Sequence, residues 1–151
     1  MSIASSAASL RVMLVEDNPD HVLLIQHAIR DLGSGHRVEI MNDGEQALDT
    51  LRGRSEFPDL ILLDISMPGY SGFEMLTQVR NDQRLMHIPI VMLTSSEAQS
   101  DIARAYELGA SGYITKPSHF QDLRAVLANT MLYWSAMQRH SLADEEMEET
   151  S

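Results

Sequence analysis

Apolar residues fall along this chain in two alternating kinds of run. Short aliphatic or β-branched runs occur at Arg11–Val15, Arg37–Met41, Asp59–Leu63, Ile88–Leu93 and Gly112–Thr115. Several are apolar on consecutive residues, the pattern of a strand buried on both faces. Between them, apolar residues return at spacings of three and four, the period of a helix with one buried face. These are Val22, Ile25, Ile29 and Leu32; Ala47, Leu48 and Leu51; Phe73, Leu76 and Val79; Ile102, Ala105, Tyr106 and Leu108; and Phe120, Leu123, Leu127, Met131 and Trp134. The punctuation agrees with this division. Asn18-Pro19 opens the first helix and Gly33 closes it, Asn42 or Asp43 caps the second, Ser71 caps the third and Gly109 ends the fourth.

Strand and helix thus alternate five times. This order predicts an α/β domain with a five-stranded, doubly wound parallel sheet, helices on both faces and right-handed crossovers. The 151 residues, 44% of them hydrophobic, suit one domain. It is expected to span 10–137, after a flexible N-terminus at 1–9 and with a last helix ending near Met137. The remaining stretch, 138–151, holds five carboxylates in Asp144–Glu149 and is expected to be a disordered acidic tail.

Charge and composition narrow the chemistry. The formal net charge is −11 and Lys116 is the one lysine, so a nucleic-acid partner is not expected. The absence of cysteine excludes disulfides and thiolate metal sites. No run approaches the ~18 apolar residues of a membrane span, and Met1–Ser9 lacks the form of a secretory signal, so a cytoplasmic location is expected.

Ligands of open parallel sheets bind at the carboxyl ends of the strands. Glu16 and Asp17 follow the first strand, Asp64 the third, Thr94 to Ser96 the fourth and Lys116 the fifth. Three carboxylates gathered on one rim repel unless a cation joins them, and hard oxygen donors suit Mg²⁺ or Mn²⁺. A carboxylate can also act as a nucleophile towards phosphorus. The transferred group carries charge on three equatorial oxygens. Mg²⁺, the Lys116 ammonium and the Thr94 hydroxyl form a matching set of three stabilising groups.

The stretches VMLVEDNPD, PDLILLDISMPGYSGFEML, IPIVMLTSS and GASGYITKP resemble those of two-component response regulator receiver domains. The resemblance covers about Leu10 to Met137. It implies a flavodoxin-like (CheY-like) fold with strand order 2-1-3-4-5, and a phosphoaspartate at Asp64. It implies Mg²⁺, replaceable by Mn²⁺ or Ca²⁺, on Asp17, Asp64 and the Ser66 carbonyl, with Glu16 acting largely through water. Thr94 and Tyr113 are implied as a switch pair, and the Lys116-Pro117 bond as cis. The segments IPIVMLTSS and MLYW are similar to those of stand-alone regulators that partner phytochrome-type histidine kinases. A signalling phospho-acceptor is therefore expected rather than an enzyme. Its kinase is expected to dock on the first helix, whose apolar residues look committed to the core, leaving Asp20, His21 and Gln26 for specificity.

Other readings fit less well. A Mg²⁺-dependent phosphatase with an aspartate nucleophile needs a second acid two residues on, where this chain has Ser66. A flavin site needs a phosphate loop after the first strand, where Glu16 and Asp17 repel phosphate. A receiver that never accepts phosphate is at odds with the intact set of Asp17, Asp64, Thr94 and Lys116. The six histidines, His21 and His27 included, read as surface residues, and Met13, Met41, Met75, Met92 and Met131 as core. Tyr133, Trp134 and Met137 read as an exposed apolar patch. They predict a homodimer through the face made by the fourth helix, fifth strand and fifth helix.

Overall fold

The computed structural model describes residues 9–33 and 35–150; the N-terminal stretch expected to be flexible lies almost wholly outside them. The elements alternate as expected: β1 (Arg11–Val15), α1 (Pro19–Arg30), β2 (Arg37–Met41), α2 (Gly44–Arg52), β3 (Leu60–Leu63), α3 (Gly72–Arg80), β4 (Ile90–Thr94), α4 (Gln99–Glu107), β5 (Gly112–Thr115) and α5 (Phe120–Thr150). The five strands are parallel and lie in the order β2-β1-β3-β4-β5. This is the flavodoxin-like arrangement that the resemblance implied.

The period-two geometry of a strand explains both halves of the core. Met13 and Val15 of β1, Ile61 and Leu63 of β3 and Met92 of β4 point to one face, where they meet Leu48 and Leu51 of α2, Phe73 and Leu76 of α3 and Ala105 of α4. The alternate residues Val12, Leu14, Leu60, Leu62, Val91 and Leu93 point to the other face. They meet Ile25 and Ile29 of α1 and Leu123, Leu127 and Met131 of α5. The consecutive apolar residues of β3 and β4 are all buried, as strands covered on two faces require. The five methionines read as core are buried too.

Caps fix where the helices start. Asn18 accepts from the backbone N–H groups of Asp20 and His21, Asp43 from that of Gln46, and Ser71 from that of Glu74. Gly33 and Gly109 lie just past α1 and α4 with φ of 66° and 102°, the left-handed region that ends helices. β4 begins two residues later than the apolar run suggests. Pro89 has no N–H to donate to the ladder, although its carbonyl accepts from Ile61.

Three expectations are corrected. The backbone of α5 runs on to Thr150, past the end expected near Met137. No proline or glycine follows Pro117, and Ala, Leu, Met and Glu favour helix even where apolar periodicity stops. No cis peptide bond occurs among the described residues, so Lys116-Pro117 is trans, the isomer favoured by ~0.5–1 kcal/mol in X-Pro bonds. The apolar residues of α1 are not all in the core, since Leu23 and Leu24 are 55% and 43% exposed. Among the described residues, no helix is long and apolar enough to cross a membrane.

Candidate functional site

The site sits where the strand order reverses, above the neighbouring ends of β1 and β3. Register sets it. Val15 pairs with Leu63, and the Asp64 N–H donates to the Val15 carbonyl at 3.1 Å. The Glu16 N–H donates to the Met41 carbonyl at 3.0 Å, and the Lys116 N–H to the Thr94 carbonyl at 2.7 Å. The strand ends are thereby level, and the residue after each one opens onto the same rim.

The expected carboxylates converge there. Glu16, Asp17 and Asp64 each bring an oxygen within 4.8 Å of the others. Glu16 and Asp64 are buried, whereas Asp17 is exposed at the mouth. The Lys116 ammonium binds Glu16 Oε1 and stands 3.6 Å from Asp64 Oδ2. Thr94 is buried on the far side, and its Oγ1 accepts from the Ser96 N–H at 3.5 Å. Ser66 is exposed, and its N–H reaches Asp64 Oδ1 at 3.4 Å. Together these residues line an open pocket of about 270 Å³.

The loop carrying Asp64 is folded tightly to hold it. The Met67 and Gly72 N–H groups both donate to the Ile65 carbonyl, and Gly69 turns the chain with φ of 82°. Ile65 and Met67 anchor the loop by burying their side chains in the core.

Electrostatics mark this rim as under-neutralised. Burial raises the Glu16 carboxyl above its ordinary value; the Lys116 hydrogen bond pulls it down, and neighbouring Asp64 pushes it up again. One ammonium faces three carboxylates, all of them hard oxygen donors. That set fits a small divalent cation of the Mg²⁺ or Mn²⁺ type, bound through few protein ligands.

The chain matches the response regulator receiver domain model over residues 12–128. It belongs to that family. The receiver domain is 39% identical over 132 residues to the probable methanogenesis regulatory protein FilR2 of Methanothrix harundinacea, covering 85% of each chain. Its fold is similar to that of the phosphorylated cyanobacterial phytochrome response regulator RcpA. There the TM-score is 0.78 and the identity 34%, over 84% of this chain and 94% of that one. It is also similar to Rcp1 of Synechocystis, whose Mn²⁺-bound form superposes with a TM-score of 0.76 at 30% identity, covering 83% of this chain and 94% of that one. The likeness to a phytochrome response regulator accords with the resemblance read from the sequence. The receiver domain is thus a component of two-component signalling.

Tyr113 lies beside the loop after β4. Its ring packs against the core, its hydroxyl donates to the Ser96 carbonyl at 2.9 Å, and burial raises its phenol above the ordinary value. Thr94 and Tyr113 therefore both touch Ser96. Ser96 also donates from Oγ to Asp101 in the first turn of α4, at 2.6 Å. This junction has no motif of its own and was not singled out as one by sequence reasoning.

His21 corrects the reading of the histidines as surface residues. Its Nδ1 lies 2.9 Å from the Lys116 ammonium and 3.3 Å from Glu16 Oε1. A signal was available in the sequence. His21 stands in the first turn of the helix that follows Glu16 and Asp17, and helical side chains lean back towards the N-terminus. His36 is likewise engaged, its Nδ1 accepting from the Leu10 N–H at 2.9 Å.

Proposed function

We propose that this receiver domain acts as a single-domain response regulator, accepting a phosphoryl group from the phosphohistidine of a histidine kinase onto Asp64. The observation that carries this reading is that the Asp64 carboxylate shares one rim with the Glu16 and Asp17 carboxylates and lies 3.6 Å from the Lys116 ammonium. An Asp64 oxygen attacks phosphorus as the N–P bond breaks, and the departing imidazole takes the bonding pair and then a proton. Asp64 becomes an aspartyl phosphate. The ammonium of Lys116 and the hydroxyl of Thr94 stabilise two of the three equatorial oxygens. Asp17, Asp64 and the Ser66 carbonyl would hold Mg²⁺, with Glu16 acting through water. The bound ion supplies charge neutralisation at the phosphoryl group.

The switch follows from the same groups. Thr94 turns towards the phosphoryl group, Tyr113 fills the space behind it, and the Ser96 junction moves α4, shifting a two-state balance. The surface of α4, β5 and α5 then changes its affinity for a partner. The face carries a groove of about 390 Å³ between Tyr106 and Tyr133, which are 51% and 56% exposed. These exposed rings support a homodimer there. Trp134, expected in the same patch, packs partly against the core and meets Tyr133 edge-on, with ring centroids 5.0 Å apart. The similarity to RcpA favours a phytochrome-type kinase, with a downstream protein as the second partner and the cytoplasm as the place of action.

The test is incubation of the full chain with acetyl phosphate and Mg²⁺, read by intact mass. One phosphoryl adduct is expected on wild type, none on Asp64→Asn. Equal labelling of both overturns the assignment.

A further inference from the structure

Among the charged and titratable groups at the rim, His21 has no part in the transfer just described. It stands at the inner end of α1 with its side chain 37% exposed, against 10% for Lys116 and 1% for Glu16. Its Nδ1 lies closer to the ammonium, at 2.9 Å, than to the carboxylate, at 3.3 Å. An ammonium has donors only, so a ring nitrogen facing it at this distance accepts. This geometry assigns the tautomer: the lone pair is on Nδ1 and the proton on Nε2. The opposite tautomer sets N–H against N–H. It follows that His21 and Glu16 are not hydrogen-bonded to each other. They are two acceptors sharing one ammonium.

The count of donors then decides the orientation. Lys116 has three N–H bonds. Glu16 Oε1 takes one and His21 Nδ1 a second, from different elements of the fold. The third is left for the side on which Asp64 Oδ2 lies, 3.6 Å away. A lysine head turns freely on a flexible stem, so a single acceptor fixes its position but not its rotation. Two acceptors fix both.

We infer that His21 is a positioning residue: through Nδ1 it holds the Lys116 ammonium so that the remaining N–H meets the phosphoryl oxygen at Asp64. This rests on the phospho-acceptor reading above. It assigns His21 a part in the chemistry rather than in docking the kinase.

The experiment follows adduct formation from acetyl phosphate and Mg²⁺ by intact mass on the full chain, for wild type, His21→Leu, His21→Asn and Asp64→Asn. A kinase-free donor removes any docking effect. His21→Leu is expected to slow labelling about ten- to hundredfold, the worth of one hydrogen bond to a charged group, while its melt stays cooperative. His21→Asn places an amide oxygen where Nδ1 sits and is expected to stay within about twofold of wild type by keeping that bond. Equal rates for His21→Leu and wild type overturn the role, as does His21→Asn failing as badly as His21→Leu. A second readout needs no phosphoryl group. Nitrogen-15 spectra at about pH 8.5, above the ordinary imidazole range, should show His21 Nδ1 unprotonated. A proton on Nδ1 overturns the proposal. If wild type takes no label, the phospho-acceptor reading itself fails and this role goes with it. Normal wild-type labelling with an indifferent His21→Leu removes the His21 role alone.

Discussion

Gly72→Ala tests whether the position of Asp64 is set by backbone packing. Gly72 opens α3, and a Cβ built there falls 2.2 Å from the Asp64 carbonyl oxygen, 2.9 Å from Ile65 Cα and 3.0 Å from the Asp64 carbonyl carbon. The first distance is about 1.2 Å short of the 3.4 Å where ordinary contact begins. The neighbours are backbone, and the Gly72 N–H is already bonded to the Ile65 carbonyl at 3.1 Å, so no side chain can rotate away. Overpacking costs ~1–3 kcal/mol, and rigid neighbours put this case at about 2–3 kcal/mol. For a domain of this size each kcal/mol lowers Tm by roughly 2–4 °C, which gives a fall of about 5–10 °C. The strain relaxes by moving the strand end that bears Asp64, the proposed nucleophile. A displacement near 1 Å is worth on the order of 100-fold in rate, so acetyl phosphate labelling should drop by about that factor. Gly53→Ala is the control. There the nearest atoms to a new Cβ are at 3.5 and 3.7 Å, and its stability should stay within ~0.5 kcal/mol of wild type. Urea melts and labelling rates for the three proteins decide the matter. Gly72→Ala as stable and as reactive as Gly53→Ala would refute the reasoning.

Mg²⁺ should stabilise the folded chain. At a hundred times its Kd the gain is ~2.7 kcal/mol, or roughly 5–10 °C in Tm, reversed by chelation. Asp17→Asn should lose most of that shift in a thermal melt, and a full shift in the variant would count against Asp17 as a ligand. Burial holds His36 below its ordinary value of 6.5, and its Nδ1 must stay neutral to accept from Leu10. In the window below 6.5 the unfolded chain takes up a proton that the folded one refuses. The stability contributed by His36 is therefore complete above pH 6.5 and is lost as pH falls towards the folded value. His36→Asn keeps the acceptor without the titration, so the difference in Tm between it and wild type should change between about pH 7 and pH 5; a constant difference argues against this account. Tyr133→Asp is the cleaner probe of the proposed dimer, because Trp134 also supports the core. Light scattering should report monomer for the variant and dimer for wild type, and an unchanged mass removes α5 from the interface.

The parts of the fold legible in the sequence are those fixed by short-range rules. β1, β2 and β5 fall on the residues marked out by their runs, because each run is closed by a polar or turn pair, Glu16-Asp17, Asn42-Asp43 and Lys116-Pro117. The capping residues Asn18, Asp43 and Ser71 act as read. The rim residues were legible for one further reason, that a parallel sheet presents the residue after each strand at the same end. What escaped depends on tertiary geometry. Leu23 and Leu24 sit beside core residues in α1, and the helical period alone does not separate the edge of the buried stripe from the solvent side. The far end of α5 lies beyond the last apolar repeat, where only propensity speaks. His21 was read by residue type, yet its partner Lys116 is 95 residues away, a distance that local patterning does not bridge.

The charge at the rim is more than the apo fold accommodates without penalty, and that excess gives the site its leverage. Glu16 is buried, bonded to Lys116, and still has a raised pKa because burial and Asp64 together outweigh the ammonium. A raised carboxyl binds its proton more tightly in the folded state, so its ionisation works against folding. Lys116 has three donors, and Glu16, His21 and Asp64 each face it, so no donor is left over. In the proposed mechanism a cation would relieve the acids, and a phosphoryl oxygen at Asp64 would take the third N–H of the ammonium. The rigid sheet beneath keeps the groups close enough to compete. The loops above it, joined through Tyr113 to Ser96 and through Ser96 to Asp101, are the part free to respond.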